Sequence, residues 1–381
     1  MKKYKWQIIG GSVALLVLII VISVLVTNNR KNKRTYENFD VIGKTREFGE
    51  NSEVNYLPSA KGIFRYTRDG AEVVDRKGKS LETVSYNMNK PCGDTCGNAA
   101  AIGEIGGKSM VVLDAEGEMH TFSMPYQIVK IQVASQGVTA IWMTNEGEDY
   151  VQICKADGTK IVEMNTLVAT SGFPVDIALS NDGTKLVTAF ASFDGDQIQT
   201  QLSFYNFGSV GGNFVDGFVS AEVYKDELLA DVEFVDNNSV VAFGDHGYRF
   251  FDMEEIPDLK YEVKIEEKIC SIASTSSLIG VIVESNAKGG NYLVRIYNRS
   301  GKLLDEKSMT EGFAHFYIDK EDVILFNDTD VYIYRVGGRD KIRIDLKKNL
   351  KYVASLDANN EFLFVGDTYM ERVRLVGEKK K

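Results

Sequence analysis

The chain has 381 residues, of which 44% are hydrophobic and 26% are charged. This composition excludes a disordered chain, a collagen-like repeat and a small disulfide-stabilised protein. The sequence has only five prolines and no Pro-rich or Ser-rich linker, so we expect one large domain. Residues 1–34 hold seven of the 44 basic residues and none of the 54 acidic ones, which leaves a formal charge of −17 on the remainder.

An acidic domain of this kind repels the phosphates of nucleic acids and of anionic lipid headgroups. We therefore expect no nucleic-acid partner. The negative charge serves solubility in the simplest interpretation, and in the alternative one it attracts a basic partner or a cation.

Residues 8–26 form a run of 19 residues without a charged side chain. As a helix the run would be roughly 28 Å long, close to the ~30 Å thickness of the hydrocarbon core of a bilayer. The apolar region of a signal peptide is typically about 7 to 15 residues and is followed by a small-residue cleavage site, which this segment does not show. The sequence therefore predicts an uncleaved transmembrane helix, residues 8–26, after a short cytoplasmic tail, residues 1–7, and before a basic linker, residues 27–38.

The orientation of this helix rests on the basic residues at its two ends, which are Lys2, Lys3, Lys5, Arg30, Lys31, Lys33 and Arg34. A strict count, three against four, slightly favours a cytoplasmic C-terminal side. Long domains after a first span are nevertheless translocated largely regardless of charge, whereas a short tail with three lysines is not. We expect a single-pass protein of the cell membrane with its large domain outside the cytoplasm, and the reverse orientation stays open.

After residue 35 the apolar residues occur in short alternating or β-branched runs, including GIFRYT, MVVLDA, KLVTAF, YLVRIYN and DVILFN. Such runs predict strands. Between them lie Asp-Gly, Glu-Gly and Gly-Gly segments, which are typical of tight hairpin turns.

Glycines in equivalent turns set the repeat length; they are Gly78, Gly117, Gly158, Gly212, Gly301 and Gly338. The interval from Gly212 to Gly301 fits two units whose middle turn, near residues 250–255, lacks the glycine. The mean repeat of about 43 residues lies in the range of roughly 40 to 50 for a four-stranded propeller blade.

This repeat predicts an all-β fold, a single β-propeller over residues 39–377 with a charged tail, residues 378–381. The expected blades are 52–86, 90–124, 128–166, 173–222, 228–264, 268–309 and 312–346. Residues 350–376 supply only three strands, and residues 39–48 are the candidate fourth, which would close the ring and remove its open edges. Eight blades follow, with seven as the alternative; a β-solenoid or two β-sandwiches also remain possible.

Residues 175–190, VDIALSNDGTKLVTAF, resemble the inner hairpin of WD40-like and TolB-type propellers. The hydrophobic segment followed by GIFRYTRDGAEVVDRKGK, LSFYNFGSVG and SVVAFGDHGYRFFDM resembles an uncharacterised family of membrane-anchored, WD40- and quinoprotein-like propellers of Gram-positive bacteria. The resemblance covers nearly the whole chain. It implies the fold and the topology, and it supplies no catalytic residue because the family has no assigned activity.

Cys92 and Cys96 lie in the segment PCGDTCG. On an extended strand their sulfurs would be about 13 Å apart and could not bond, whereas a bend at Gly93-Asp94 would allow a local disulfide. Unpaired thiols are the first expectation and a disulfide the second. A metal site would need a second ligand pair, which Cys154, Cys270 and the histidines do not offer locally.

Other chemical motifs are weak. Residues 103–109, GEIGGKS, have one residue too few for a P-loop and lead into a strand, so they predict a hairpin. His120, His246 and His315 stand alone, and Trp6 and Trp142 are too few for quinone docking. Asp194 and Asp196, and Asn327 with Asp328 and Asp330, could bind calcium, although turn chemistry explains them without a metal.

We therefore predict no catalytic residue, no cofactor and no metal site. The expected function is a membrane-tethered, extracytoplasmic, non-catalytic module of the cell envelope that binds an unknown protein or envelope partner. The alternative is an enzyme or a small-ligand binder that uses the central channel, an interpretation that rests on analogy of fold.

Overall fold

A computed structural model describes residues 34–49, 53–167, 172–285 and 290–378. These residues form eight antiparallel sheets. None of the helices in this part of the chain is long and apolar enough to cross a membrane. The expected transmembrane helix, residues 8–26, lies outside the described residues.

Two strands precede the first complete blade: β1 (Tyr36–Val41) and β2 (Arg46–Glu47). Blades 1 to 4 each contain four consecutive strands: β3 (Asn55–Ser59), β4 (Gly62–Tyr66), β5 (Gly70–Asp75) and β6 (Ser80–Ser85); β7 (Pro91–Cys96), β8 (Ala99–Glu104), β9 (Ser109–Leu113) and β10 (Met119–Ser123); β11 (Gln127–Val133), β12 (Thr139–Asn145), β13 (Glu148–Cys154) and β14 (Lys160–Leu167); β15 (Phe173–Leu179), β16 (Lys185–Asp194), β17 (Gln197–Asn206) and β18 (Phe218–Lys225).

Blades 5 to 7 have the same order, and blade 8 ends the chain: β19 (Leu229–Phe234), β20 (Ser239–Gly244), β21 (Gly247–Asp252) and β22 (Asp258–Lys264); β23 (Ile269–Ser274), β24 (Leu278–Glu284), β25 (Tyr292–Asn298) and β26 (Leu303–Met309); β27 (His315–Asp319), β28 (Asp322–Phe326), β29 (Asp330–Arg335) and β30 (Asp340–Asp345); β31 (Tyr352–Ser355), β32 (Glu361–Val365) and β33 (Tyr369–Glu378). Two short 3₁₀ turns, Gly211–Asn213 and Val215–Gly217, lie between β17 and β18.

The chain closes the ring by pairing its beginning with its end. β1 and β2 both pair with β33, and Phe39 of β1 lies opposite Leu375. The Phe39 ring also meets Phe364 edge to face at 5.3 Å between centroids. The predicted closing segment, residues 39–48, is thus two short strands rather than one, and the prediction of an eight-bladed propeller is confirmed.

The hydrophobic core is divided into eight clusters, each lying between two neighbouring blades. One cluster joins Ile63 and Val74 of blade 1 to Leu363 of blade 8. Because every blade buries both faces against its neighbours, the apolar surface of each sheet is removed from water only when the ring is complete.

The hairpin turns follow from their sequences. In the turn after β5, the Asp75 side chain accepts hydrogen bonds from the backbone N–H groups of Lys77 and Lys79, both at 2.8 Å. Gly78 then adopts φ +86°, a conformation that glycine enters without steric cost. Asn298 and Gly301 repeat this arrangement after β25.

The propeller has two distinct faces. The terminal face contains the ends of the described chain at Tyr36 and Glu378, together with the turns that join first to second and third to fourth strands. The crossing face contains the turns that join second to third strands and the connections between blades. The first strand of each blade is the innermost one, and neighbouring first strands contact one another from blade 1 to blade 5 and between blades 6 and 7.

Candidate functional site

The inner strands of blades 2 to 5 bring together a group of charged side chains that we call the acidic hub; its members are Asp94, Lys130, Asp176, Asp231 and Glu233. They come from four separate strands, β7, β11, β15 and β19. Four of the five, Asp94, Lys130, Asp231 and Glu233, line a pocket of about 260 Å³, which extends toward the terminal face. The hub therefore forms one part of the channel wall.

Hydrogen bonds and one ion pair fix most of the hub. The Lys130 ammonium pairs with the Asp176 carboxylate, which is 3% exposed. Asp176 also accepts the backbone N–H of Val232 at 2.9 Å, and Ser274 of the next blade donates its hydroxyl to Glu233. Each of these contacts joins the inner strands of two different blades.

Three of these carboxyl groups hold their protons more tightly than exposed ones. Burial raises the pKa of Asp94 to about 6, against hydrogen bonds from Val133 and Thr95 and the charge of Lys130. Burial also raises the pKa of Asp231, and the charges of Glu233 and Asp176 add to the increase. The pKa of Glu233 is raised, first by burial and then by the charge of Asp176. Lys130 is the cation that opposes all three increases.

Some hub aspartates have a structural role, because they accept backbone hydrogen bonds from the neighbouring blade. Asp94 accepts the N–H of Val133 at 2.6 Å, and Asp319 accepts the N–H of Ser355 at 2.9 Å. Asp176 makes the same kind of contact, so in three places an aspartate on one inner strand accepts a backbone N–H from the inner strand of the next blade. Asp231 differs, because its Oδ1 atom is inaccessible to solvent and has no hydrogen-bond partner among the described residues.

The inner strands of blades 7, 8 and 1 carry rings instead of charges, in a row that we call the aromatic arc: His315, Tyr317, Tyr352 and Tyr56. Consecutive centroids are 6.3, 6.4 and 6.4 Å apart. Tyr317 is 41% exposed although it lies on an inner strand. Tyr317 and Tyr352 line a pocket of about 340 Å³ together with Arg76 and Asp319. The inner strands are therefore acidic in blades 2 to 5 and aromatic in blades 7, 8 and 1, where Tyr317 is exposed and Tyr352 packs between blades 8 and 1.

A pocket of about 480 Å³ opens on the crossing face between blades 5 and 6. Asp231 lines this pocket as well as the pocket of the hub, so it lies between the two. At the rim, Glu267 is held by Arg295 at 2.6 Å, whereas Asp245 and Glu266 are exposed. The acidic character of the hub thus continues to the crossing face.

In the part of the chain that the structure describes, two groups of side chains have donor atoms close enough to share a metal ion. Asp114, Glu118 and His120 form the first, but Asp114 accepts the N–H of Glu118 at 2.8 Å and contacts His120 at 3.0 Å, as a tight turn requires. Glu227, Asp245 and His246 form the second. There the Glu227 carboxylate already pairs with Arg249 at 2.6 Å. Local contacts therefore account for both arrangements without an ion.

The other residues considered from the sequence lie apart from the hub. Asp194 and Asp196 are in an exposed turn of blade 4, and Asp328 pairs with Lys351 at 3.2 Å. Residues 103–109 form the predicted hairpin between β8 and β9. His315 stacks on Phe326 at 4.4 Å, and burial lowers its pKa.

The cysteine prediction can be compared directly with the backbone. Cys92 and Cys96 both belong to the extended strand β7, and their thiols are free. Burial raises the pKa of each to about 11, so both are poor nucleophiles at neutral pH. The alternative of a local disulfide between Cys92 and Cys96 is therefore wrong, because both residues lie on one extended strand.

Sequence reasoning did not identify the acidic hub. Its residues are separated by 36 to 57 positions between consecutive blades, and each looks like an ordinary polar residue of an alternating strand. The repeat length placed Asp94, Asp176 and Asp231 on first strands, which was the one signal that could have grouped them.

A family model described as a family of unknown function, DUF5711, matches residues 32–375. The chain belongs to the DUF5711 family. This result agrees with the resemblance to an uncharacterised propeller family. No curated protein sequence matches the chain.

Solved structures similar to this DUF5711 member are propellers of low sequence identity. BamB of Moraxella catarrhalis is 14% identical with a TM-score of 0.56, and the match covers 89% of this chain and all of BamB. Sqt1 of Saccharomyces cerevisiae is 12% identical with a TM-score of 0.54, covering 91% of this chain and 100% of Sqt1. Dipeptidyl peptidase 4 of Porphyromonas gingivalis is 11% identical with a TM-score of 0.54, covering 84% of this chain and 56% of the peptidase. These matches establish the fold alone.

Proposed function

We propose that the chain is a membrane-tethered propeller outside the cytoplasm that binds a basic segment of a protein partner without catalysing a reaction. The observation that carries the proposal is the composition of the acidic hub, in which four carboxyl groups are opposed by the single ammonium of Lys130. An arriving lysine or arginine would supply the missing positive charge and would face the carboxyl groups of Asp94, Asp231 and Glu233, which line the hub pocket.

The aromatic arc suits the same ligand chemistry. Ammonium and guanidinium groups are attracted to the faces of aromatic rings, and Tyr317 offers such a face in the channel wall. A basic side chain that enters the channel would therefore meet carboxylates on one side and rings on the other. Exposed carboxylates at the crossing face, Asp245 and Glu266, would guide a basic segment toward it.

The proposed membrane tether favours binding of the partner at the crossing face. The sequence predicts that residues 8–26 span the membrane, and the described chain begins with Arg34, close to the terminal face at Tyr36. With so short a linker the terminal face would lie toward the bilayer. The crossing face would then point away from it, and a partner approaching there would reach the hub at Asp231, which lines both the crossing-face pocket and the hub pocket.

A second candidate is a small cationic ligand in the hub pocket, and the pocket volume of about 260 Å³ next to Asp231 favours it. A small cation would need the same carboxylates and would not need the crossing-face rim. The two candidates therefore differ in their response to changes at Asp245 and Glu266.

The test is co-purification of envelope proteins with the full chain and three variants. Asp231→Asn/Glu233→Gln removes two of the four hub carboxyl groups, Asp245→Asn/Glu266→Gln removes the two exposed rim carboxylates, and Asp194→Asn/Asp196→Asn removes two charges from blade 4 as the control. We expect a protein recovered with the wild type and the control to be lost with the hub variant and reduced with the rim variant. Recovery that is equal with all four chains would contradict the proposal, and binding of a small cation that depends on the hub alone would favour the second candidate.

Protease treatment of intact and lysed cells tests the orientation. We expect cleavage of the propeller in intact cells, since the proposal places it outside the cytoplasm. Protection until lysis would reject that placement.

A further inference from the structure

We propose that residues 207–217, the connection between β17 and β18, contact the lipid surface, with Phe214 and Val215 inserted among the headgroups and upper acyl chains. The inference rests on the proposed membrane tether. It adds a second attachment point, on the blade opposite to the one where the chain enters the propeller.

This loop is longer than its equivalents. The connection from third to fourth strand has four or five residues in blades 1, 2, 3, 5, 6 and 7, whereas in blade 4 it has eleven. A tight turn would join β17 to β18 equally well, as it joins the corresponding strands elsewhere. The added residues therefore do something other than connect the strands.

The base of the loop is fixed. Asn206 is 4% exposed; its side chain accepts the N–H of Gly208 at 2.9 Å and donates to the carbonyl of Glu255 in the next blade at 3.0 Å. A Cβ atom on Gly211 would lie 1.3 Å from the Asn206 carbonyl oxygen, so only glycine permits this close approach. The loop thus keeps a defined shape at its base.

Aromatic rings extend this fixed base. Phe207 stacks on Tyr205 with centroids 6.4 Å apart, and Phe218 meets the same ring edge to face at 5.6 Å. Both ends of the loop are therefore packed against one side chain of β17. Gly211 and Gly217 are buried against this base, and residues 212–216 between them are exposed.

The tip is apolar and exposed. Val215 is 84% exposed and Phe214 is 42% exposed. Residues 207–217 contain one charged residue, Asp216, and no basic one. A rigid loop that holds a large apolar side chain in water gains free energy when that surface meets an apolar phase.

The loop lies on the same face as the tether. Third-to-fourth connections and Tyr36 both belong to the terminal face, and blade 4 is half a turn from blade 8 in a ring of eight. Residues 27–35 can span at most about 30 Å when extended, so the terminal face must stay near the bilayer if residues 8–26 span it. Nearness to lipid is the reason to choose a bilayer over a protein as the occupant.

Charges near the tether favour the same orientation. The third-to-fourth turns of blades 1, 6 and 7 carry exposed basic side chains, which are Lys77, Lys79, Lys302 and Arg339, whereas those of blades 2 and 5 carry the exposed carboxylates of Glu116, Glu118, Glu254 and Glu255. The sequence before Tyr36 adds Arg30, Lys31, Lys33 and Arg34. Anionic headgroups attract such residues at short range, although the propeller as a whole is acidic.

The experiment uses the full chain in vesicles of phosphatidylcholine and phosphatidylglycerol, with Cys92→Ala, Cys96→Ala and Cys270→Ser as the background. An environment-sensitive fluorophore is attached at Val215→Cys or, as the control, at Asp196→Cys, an exposed site of the same blade on the crossing face. We expect a blue shift and loss of emission with spin-labelled lipid for the label at 215, and neither for the label at 196. A label at Phe214→Cys repeats the measurement if the first variant does not fold.

The possible outcomes separate the loop from the tether. Chain that stays with the vesicles after alkaline extraction, but whose labels at 215 and 196 respond alike, overturns the lipid contact and leaves the tether intact. Chain that alkaline extraction removes overturns both. A label at 215 that is buried in native envelopes but not in protein-free vesicles overturns the lipid contact and identifies a protein as the occupant.

Discussion

Asp176 on β15 accepts the backbone N–H of Val232 on β19 at 2.9 Å, so a buried side chain of blade 4 is hydrogen-bonded to the backbone of blade 5. The same carboxylate pairs with Lys130 of blade 3. One side chain therefore joins three consecutive blades at the channel. Asp94 and Asp319 make similar hydrogen bonds to the backbone of the next blade, so polar contacts join neighbouring inner strands at several points around the channel.

Replacing Asp176 tests this support. Asp176→Ala leaves Lys130 and the Val232 N–H without their partner, and we expect the free energy of unfolding to fall by about 3 kcal/mol. Asp176→Asn retains an acceptor for Val232 and should cost less. Urea unfolding of the detergent-solubilised chain, followed by Trp142 fluorescence, measures both. Asp196→Ala, in an exposed turn of the same blade, is the control; an equal loss in all three variants would argue against the support.

The raised pKa of Asp94 makes stability depend on pH. Burial raises that pKa from 3.8 to about 6, so the folded chain binds more protons than the unfolded chain between these values. Stability must then fall as the pH rises through this window, by up to about 3 kcal/mol from this group. The raised pKa values of Asp231 and Glu233 act in the same direction.

Asp94→Asn removes this contribution while keeping an acceptor for the Val133 N–H. We expect the variant to lose less stability than the wild type between pH 5 and pH 7.5, as measured by thermal unfolding across that range. Asp196→Asn should keep the wild-type dependence. A variant whose stability changes with pH as steeply as that of the wild type would show that Asp94 does not titrate in this range.

Two adjacent glycines test the fixed base of the 207–217 loop. A Cβ on Gly211 would collide with the Asn206 carbonyl, whereas a Cβ on Gly212 has nothing within 4 Å. We expect Gly211→Ala to destabilise the protein by about 2 kcal/mol and Gly212→Ala by less than about 0.5 kcal/mol. Differential scanning calorimetry compares them, and similar melting temperatures would mean that the base can rearrange.

Ring closure can be weakened at β1. Phe39→Ala removes a half-buried ring that packs on Phe364, and we expect a loss of about 2 kcal/mol. Val41→Ala, at a side chain that is 43% exposed on the same strand, should cost far less. Hydrogen exchange of β33 amides adds a local measure, since they should exchange faster in Phe39→Ala only. Unchanged protection of β33 would mean that β1 contributes little to closure.

The propeller fold could be predicted from the sequence because each blade repeats the same local pattern of strands and turns. Turn glycines such as Gly78 and Gly301 adopt positive φ in equivalent hairpins, so their spacing measures the blade. The incomplete last blade and the unassigned strand near Phe39 indicated how the ring closes. The division of that segment into β1 and β2 was not predicted, although Gly43 between them adopts φ +83°, because a single glycine does not by itself mark the end of a strand.

The acidic hub could not be predicted from the sequence in the same way. Asp94, Lys130 and Asp231 come together only through the circular arrangement of four blades, and no local pattern marks them. The interval from Gly158 to Gly212, 54 residues, is longer than the other single-blade intervals, but the exposure of Val215 depends on how Asn206 holds the base of the loop. The positions of the hub carboxylates and of the loop tip therefore depend on contacts between blades, which the local sequence pattern does not show.

Closure by the first strand also determines how the propeller bears a mechanical load. β1 runs antiparallel to β33 and begins at the terminal face, so tension transmitted through residues 27–35 would act along the axis of β1. The hydrogen bonds between the two strands lie across that axis and would resist the pull together, in shear, rather than open one after another. If residues 8–26 span a bilayer, as we propose, the strand that closes the ring would also carry the mechanical load from the membrane.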